Sequence, residues 1–342
     1  MRAIVFEQWK TFPVLTEVER PTPGPGEVLL RVASAGACHS DVAIFADFEA
    51  GAAPGINPPF VLGHENSGWV EELGAGVSGI EVGAAYLVYG PIGCQRCKAC
   101  SRGQDTYCEN AATNPYAAIG LGRNGGMAEY VTAPARNLVP LGDADPIAAA
   151  PLSDAGLTPY HAIKLSMPQL ARGGAFALVV GLGGLGQVAV QILTALTGAT
   201  VIATDTKPEA MALAEASGAV TVPSGPDQVA QIRELTKGHG VDAAFDFVGI
   251  TPTITTAVQA SAMQSRVTVV GIAGQPYPWS FFTAPYECEL TSTYWGTIED
   301  LHEVAAMYRA GQITPQVERF SLDEGLEAYR RLQAGELNAR AV

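Results

Sequence analysis

Four cysteines, Cys94, Cys97, Cys100 and Cys108, fall in one short window, spaced Cys-x-x-Cys-x-x-Cys with seven residues before the fourth. Four soft thiolates on one loop close a tetrahedral shell around Zn²⁺ and leave no position for water, which makes this a structural metal site. Arg96, Lys98 and Arg102 interleave the ligands and would offset the excess negative charge of such a centre. The rival metal reading is an iron–sulfur cluster, but the bacterial cluster run closes with a three-residue gap and a proline, whereas Glu109 follows Cys108 here. Cys38 and Cys288 stand alone. Clustering of this kind, with no secretory leader in view, points to metal rather than to disulfides.

A second group is Gly181-Leu182-Gly183-Gly184-Leu185-Gly186, a G-x-G-x-x-G run directly after the apolar stretch Ala175-Phe176-Ala177-Leu178-Val179-Val180. In a chain with 38 glycines the match alone is also what an ordinary strand-to-helix turn looks like. Its context adds a preceding buried strand, a following helix, and Asp205 at the end of the next strand, 19 residues beyond Gly186. Such a loop brings backbone N–H groups and a helix N-terminus to a pyrophosphate. A carboxylate at the Asp205 position accepts hydrogen bonds from ribose hydroxyls and repels a 2′-phosphate, so it favours NAD over NADP; Lys207 weighs the other way.

Cys38-His39-Ser40-Asp41, Gly63-His64-Glu65 and Asp154 carry further ligand-capable side chains. Taken singly, a lone Cys is usually a small buried hydrophobe and a lone Asp is often a helix cap.

The elements that must position these residues change character along the chain. Up to about residue 150 the sequence is rich in Gly and Pro and carries short β-type runs, such as Glu27-Val28-Leu29-Leu30-Arg31-Val32 entered through Pro23-Gly24-Pro25-Gly26. From about 155 strands and helices alternate, the pattern of a parallel sheet with crossover helices. Ala189, Ile192, Leu193 and Leu196 mark one face of a helix that Gly198 is expected to stop. Strands are expected at Thr200–Thr204, Ala243–Val248 and Val267–Ile272, and a helix at Pro208–Ser217. Leu301, Val304, Ala305 and Tyr308 share a later helix face, and the capping box Ser321-Leu322-Asp323-Glu324 opens the last helix.

With 20 Lys plus Arg against 34 Asp plus Glu, the formal charge of −14 excludes a phosphate-backbone binder. Hydrophobic residues make up 48% and charged residues 16%, ample material for two packed cores. The Met1–Glu7 stretch is not a signal peptide and no apolar run reaches a membrane span, so the expectation is a cytoplasmic protein with no membrane partner.

In order and approximate spacing, Cys38-His39-Ser40-Asp41, Gly63-His64-Glu65, the four-cysteine loop and the Gly181–Gly186 turn resemble the zinc-dependent medium-chain alcohol dehydrogenases. The resemblance spans essentially the whole chain and leans toward bacterial secondary-alcohol dehydrogenases that also reduce ketones, with Ala150–Thr158 and Tyr294-Trp295-Gly296 adding to it. It implies an α/β architecture: a GroES-like irregular β catalytic domain over 1–154 with a structural zinc loop at 93–109, a Rossmann doubly wound domain over 155–290, and a C-terminal return over 291–342. It implies NAD(H) and two zinc ions, the catalytic one held by Cys38, His64 and Asp154 with Glu65 close enough to exchange with water. Many relatives have Cys where this chain has Asp154. One thiolate, one carboxylate and a neutral imidazole still balance Zn²⁺. Asp41 would fix the imidazole tautomer.

The implied reaction is hydride transfer between a zinc-bound alkoxide and the nicotinamide. Ser40 would pass the alcohol proton toward the ribose, and Ala43 stands where many relatives extend that relay with His. His39 and Arg340 match positions that contact the cofactor pyrophosphate, although Ala339 stands where Gly is usual. Phe45, Tyr294 and Trp295 are pocket candidates, and core or interface packing competes with that role. A pocket lined this way suits bulky apolar or aryl ketones and secondary alcohols better than sugars or amino acids. A polyol or threonine-type dehydrogenase of the same fold is the alternative, and a non-catalytic NAD-binding scaffold the alternative of another class. A zinc-free quinone reductase would need neither zinc ligand set. The relatives imply a homo-oligomer, a tetramer ahead of a dimer, joined through apolar Rossmann edge strands.

Overall fold

Gly26, at φ 76°, turns the chain into a ten-residue strand, Glu27–Gly36, that organises the N-terminal part of the molecule. The computed structural model describes residues 1–52, 55–111 and 118–342. They divide into two units, Met1–Leu157 with Gly296–Gly311 and Pro315–Val342, and Thr158–Trp295 with Gln312–Thr314.

In the first unit Glu27–Gly36 pairs antiparallel with Glu65–Leu73 on one side and Tyr130–Pro134 on the other. Ala85–Val88 and Leu138–Pro140 complete a five-stranded sheet. Val28 and Leu30 pack on one face with Val70, Val88, Val131 and Ala133, while Leu29 between them is equally buried, so the strand is covered on both faces there. The strand runs four residues past the apolar run that marks it in the sequence, because Ser34, Ala35 and Gly36 go on pairing with Ser67, Asn66 and Glu65. At the far end of the unit Thr297 caps the helix Ile298–Arg309, accepting from the Asp300 N–H while the Asp300 carboxylate accepts from the Thr297 N–H. The Ser321–Glu324 capping box opens a short 3₁₀ turn that continues into the helix Gly325–Gln333.

The second unit is a six-stranded parallel sheet. In chain order its strands are β1 (Phe176–Val180), β2 (Thr200–Asp205), β3 (Val220–Pro223), β4 (Val241–Asp246), β5 (Ser261–Val269) and β6 (Glu289–Ser292). They lie in the order 3-2-1-4-5-6. This is the doubly wound order, in which right-handed crossovers change faces at the β1–β4 boundary and leave a crevice at the strands' carboxyl ends. The α/β reading therefore holds for this unit, with Leu178, Val180, Ile202, Ala244 and Val267 in its core.

Three local expectations need correction. The helix α1 (Gly184–Leu196) buries Ala189, Ile192 and Leu193 but leaves Leu196 exposed. It is stopped by extended Thr197, whose hydroxyl donates to the Leu193 carbonyl, so Gly198 is not the stop. Strand β4 begins and ends two residues earlier than expected, because the Asp246 carboxylate accepts the Val248 and Gly249 N–H groups and turns the chain out of the sheet. Strand β5 starts at Ser261 and ends at Val269; its polar first half is set by pairing to β4 rather than by an apolar run. Among the described residues no helix is long and apolar enough to cross a membrane.

Candidate metal sites and nucleotide loop

The pairing of Gly36 with Glu65 brings two distant stretches of sequence together. Cys38 lies two residues past one strand and caps the short helix His39–Val42, and His64 immediately precedes the other. The turn Ala150–Ser153 delivers Asp154; it is docked on the same strand by the Asn66 N–H, which donates to Ser153 Oγ at 3.1 Å. The potential ligand atoms of Cys38, His64, Glu65 and Asp154 all lie within 4.8 Å of one another. Asp154 Oδ2 is 3.5 Å from His64 Nε2 and 3.8 Å from Cys38 Sγ. One sulfur, one imidazole nitrogen and carboxylate oxygens converging in a largely buried place are the donor chemistry of zinc, so these residues fit the metal.

Asp41 sits behind this cluster, fully buried. Its Oδ1 is 2.9 Å from His64 Nδ1, and its Oδ2 accepts the Cys38 N–H at 3.0 Å and the Tyr329 hydroxyl at 3.1 Å. A carboxylate acceptor at Nδ1 keeps the proton there and turns Nε2 toward the ligand cluster. Burial works against a charged His64, but the Asp41 charge and the hydrogen bonds His64 makes to Asp154, Asp41 and Cys38 outweigh it and hold its pKa well above the ordinary value. A metal bound at Nε2 would displace a proton.

Arg340 reaches the same cluster. Its guanidinium is buried, donates through Nε to Glu65 Oε2 at 2.8 Å and through Nη2 to Oε1, and approaches Asp154 Oδ2 at 3.9 Å. A fully buried carboxylate needs a paired cation, and Arg340 supplies it for Glu65. Burial pushes the Glu65 pKa up, and Arg340 pulls it back only in part. Ser40 is half-buried with Oγ 3.6 Å from Cys38 Sγ, while His39 is exposed. Ala43 is half-buried at the start of the turn Ala43–Asp47. Phe45 is 2% exposed and packs edge-to-face on Phe12 and Tyr329, which makes it a core ring of the first unit. The pocket role considered for it gives way to packing.

In the cysteine loop the four sulfurs also lie within 4.8 Å of one another. Backbone N–H groups of Cys94 and Cys100 donate to Cys108 and Cys97 sulfurs, and the Asn110 amide donates to Cys94 Sγ at 3.2 Å. The Arg96 N–H and Asn110 lower the Cys94 pKa to about 6, whereas burial raises that of Cys100. Gly93 is required by close approach, since a Cβ there would meet Cys100 Sγ at 2.3 Å. Arg96, Lys98 and Arg102 are exposed. The cation built into the loop is Arg136, which donates to the Cys100 carbonyl and to buried Asp105. The sequence carries no sign of Arg136 or Asp105 in this role, because Arg136 lies 31 residues from its carboxylate.

In the second unit the three motif glycines do different work. Gly181 has φ 88°, and a Cβ on Gly186 would meet the Gly181 carbonyl oxygen at 1.9 Å, so strand and helix touch there. Around Gly183 there is open space, which leaves backbone N–H groups approachable where Gly184 and Leu185 begin the helix. Asp205 reaches this loop: Oδ2 accepts the Leu182 N–H at 2.6 Å and Oδ1 the Lys207 N–H at 2.9 Å. Lys207 caps the helix Pro208–Ala216. Further along, Trp295 is buried at φ 55° and Tyr294 is exposed, their rings 5.9 Å apart.

Residues 24–143 match the family model described as the alcohol dehydrogenase GroES-like domain, and residues 184–309 match the zinc-binding dehydrogenase model. The sequence is 32% identical to an NAD-dependent alcohol dehydrogenase of Sulfolobus acidocaldarius over 100% of this chain and 99% of that one. It is 31% identical to the NADP(+)-dependent D-arabinose 1-dehydrogenase of Saccharolobus solfataricus over 96% and 93%. Among solved structures it resembles the acetophenone reductase of Geotrichum candidum in complex with NAD, with a TM-score of 0.85, 31% identity, and coverage of 99% and 96%.

Proposed function

The chain belongs to the zinc-dependent medium-chain alcohol dehydrogenase family, an NAD-dependent oxidoreductase of CH–OH donors, and from that premise we propose that it interconverts bulky apolar or aryl secondary alcohols and their ketones, and primary alcohols and their aldehydes. The observation that carries this reading is the convergence of Cys38, His64, Glu65 and Asp154 ligand atoms within 4.8 Å. In it, NAD(H) is the hydride carrier, and two zinc ions belong to each chain, one at Cys38, His64 and Asp154 and one at the four cysteines.

When bound at the first site, zinc supplies a Lewis acid toward the alcohol or carbonyl oxygen. The protein's own residues do the rest. Cys38 and Asp154 provide two negative charges, and Asp41 holds His64 in the tautomer that offers Nε2. Arg340 holds Glu65 in an ion pair, which would have to open for Glu65 to serve as a ligand. Ser40 Oγ would take the proton of the alcohol and, with NAD(H) bound, pass it toward the nicotinamide ribose; with Ala43 next in line, release would end on ribose and water. The N–H groups at Gly183 and the following helix turn bind the pyrophosphate, with His39 as a further contact, and Asp205 accepts from the adenosine ribose. Trp295 and Tyr294 supply an apolar wall for the substrate. A homo-oligomer in the cytoplasm, a tetramer first, completes the proposal.

A polyol reading is kept alive by the D-arabinose dehydrogenase relative, and the acetophenone reductase likeness favours the aryl one. A panel of NADH or NAD⁺ assays with an aryl methyl ketone, its alcohol, D-arabinose and L-threonine separates them. The aryl pair is expected to exceed the sugar and amino acid at least tenfold in kcat/KM, and the reverse order would replace this substrate class with the polar one.

A further inference from the structure

The helix Gly325–Gln333 brings the Tyr329 hydroxyl into the interior of the first unit, where it donates to Asp41 Oδ2 at 3.1 Å across 288 residues of sequence. Both residues are fully buried. Asp41 in turn meets His64 Nδ1 through its other oxygen, so tyrosine, carboxylate and imidazole form a line that ends at the candidate metal site.

We propose that Tyr329 is a positioning residue for the zinc held by Cys38, His64 and Asp154, an inference that rests on the metal reading above. A buried aspartate is free to rotate about its Cβ–Cγ bond unless its oxygens are claimed. Here the Cys38 N–H and the Tyr329 hydroxyl both claim Oδ2. The carboxylate plane is thereby set, Oδ1 is left to His64, and the imidazole is held with Nε2 toward the other ligands. The tyrosine ring is itself held by an edge-to-face contact with Phe45 at 5.8 Å, and Phe45 by Phe12 at 5.3 Å. Phenylalanine at 329 would keep that packing and lose only the hydroxyl, which separates the polar role from the steric one.

The test uses the full chain, Tyr329→Phe beside the unaltered protein, stripped of metal and titrated with zinc against a competing chelator. Two sites in one molecule give an internal standard. The expected result is a fall of at least tenfold in zinc affinity at the Cys38 site, unchanged affinity at the four-cysteine loop, and faster exchange of the His64 Nδ1 proton in the zinc-loaded protein. In an Asp41→Asn background the same change should add little. Unaltered affinity in folded Tyr329→Phe would overturn the proposal. Equal losses at both sites, or loss of the fold, would also overturn it in favour of packing alone. If Cys38→Ser leaves zinc content and affinity untouched in otherwise unaltered protein, the metal reading fails first and this inference falls with it.

Discussion

Gly36 lies against the Glu65 carboxylate: the two are register partners, and a methyl group at Gly36 would come within 1.9 Å of Glu65 Oε2 and 2.9 Å of its Cβ. The absence of a side chain at Gly36 is what lets Glu65 stay buried on Arg340 beside His64 and Asp154.

Gly36→Ala tests this directly. Glu65 has nowhere to move without breaking its ion pair, so the substitution should cost about 1–3 kcal/mol of stability, as overpacking does. Thermal unfolding should show a lowered midpoint, and zinc analysis a loss at the Cys38 site. A variant with the original midpoint and full zinc would show that the carboxylate is not held by this contact.

At the other site Gly93→Ala should push Cys100 Sγ out of the sulfur cluster, given the 2.3 Å approach. One zinc per chain should be lost while the Cys38 site keeps its own, and the midpoint should fall, because a closed thiolate site contributes its binding energy to folding. Cys100→Ser should behave alike. Full zinc content and an unchanged midpoint in both variants would contradict a structural metal.

For the cofactor, Asp205→Gly removes the carboxylate that faces the Leu182 N–H. The ratio of kcat/KM for NADPH to that for NADH should rise at least tenfold, since a repelling charge is gone. An unchanged ratio would take the discriminating role away from Asp205.

How much of this can be read from the sequence depends on chain distance. The four cysteines are neighbours in sequence, so their spacing alone points to one shared ion. The glycine loop is legible because strand, turn and helix follow one another without a break. Cys38, His64 and Asp154 are different. They are assembled by the register of Gly36 on Glu65 and by a turn docked on Asn66, and neither is encoded as a local pattern, so only the family resemblance brings them together. Tyr329 and the Glu65 partner of Arg340 stay invisible for the same reason, being 288 and 275 residues from what they touch. Phe45 and Gly198 mislead at short range: an aromatic near a ligand and a glycine after a helix each have a bland reading, and packing and the Thr197 cap decide for it.

The central claim is that the metal at Cys38, His64 and Asp154 is needed for turnover. The direct measurement is NADH oxidation with an aryl methyl ketone by the purified chain before chelation, after it, and after zinc is returned, alongside Asp154→Ala treated identically and analysed for metal. The account predicts activity lost with the metal and restored by zinc in the unaltered protein, and a folded Asp154→Ala that keeps the four-cysteine zinc, still binds NADH and does not turn over. Full activity in metal-verified Asp154→Ala, or in the metal-free chain, would contradict it.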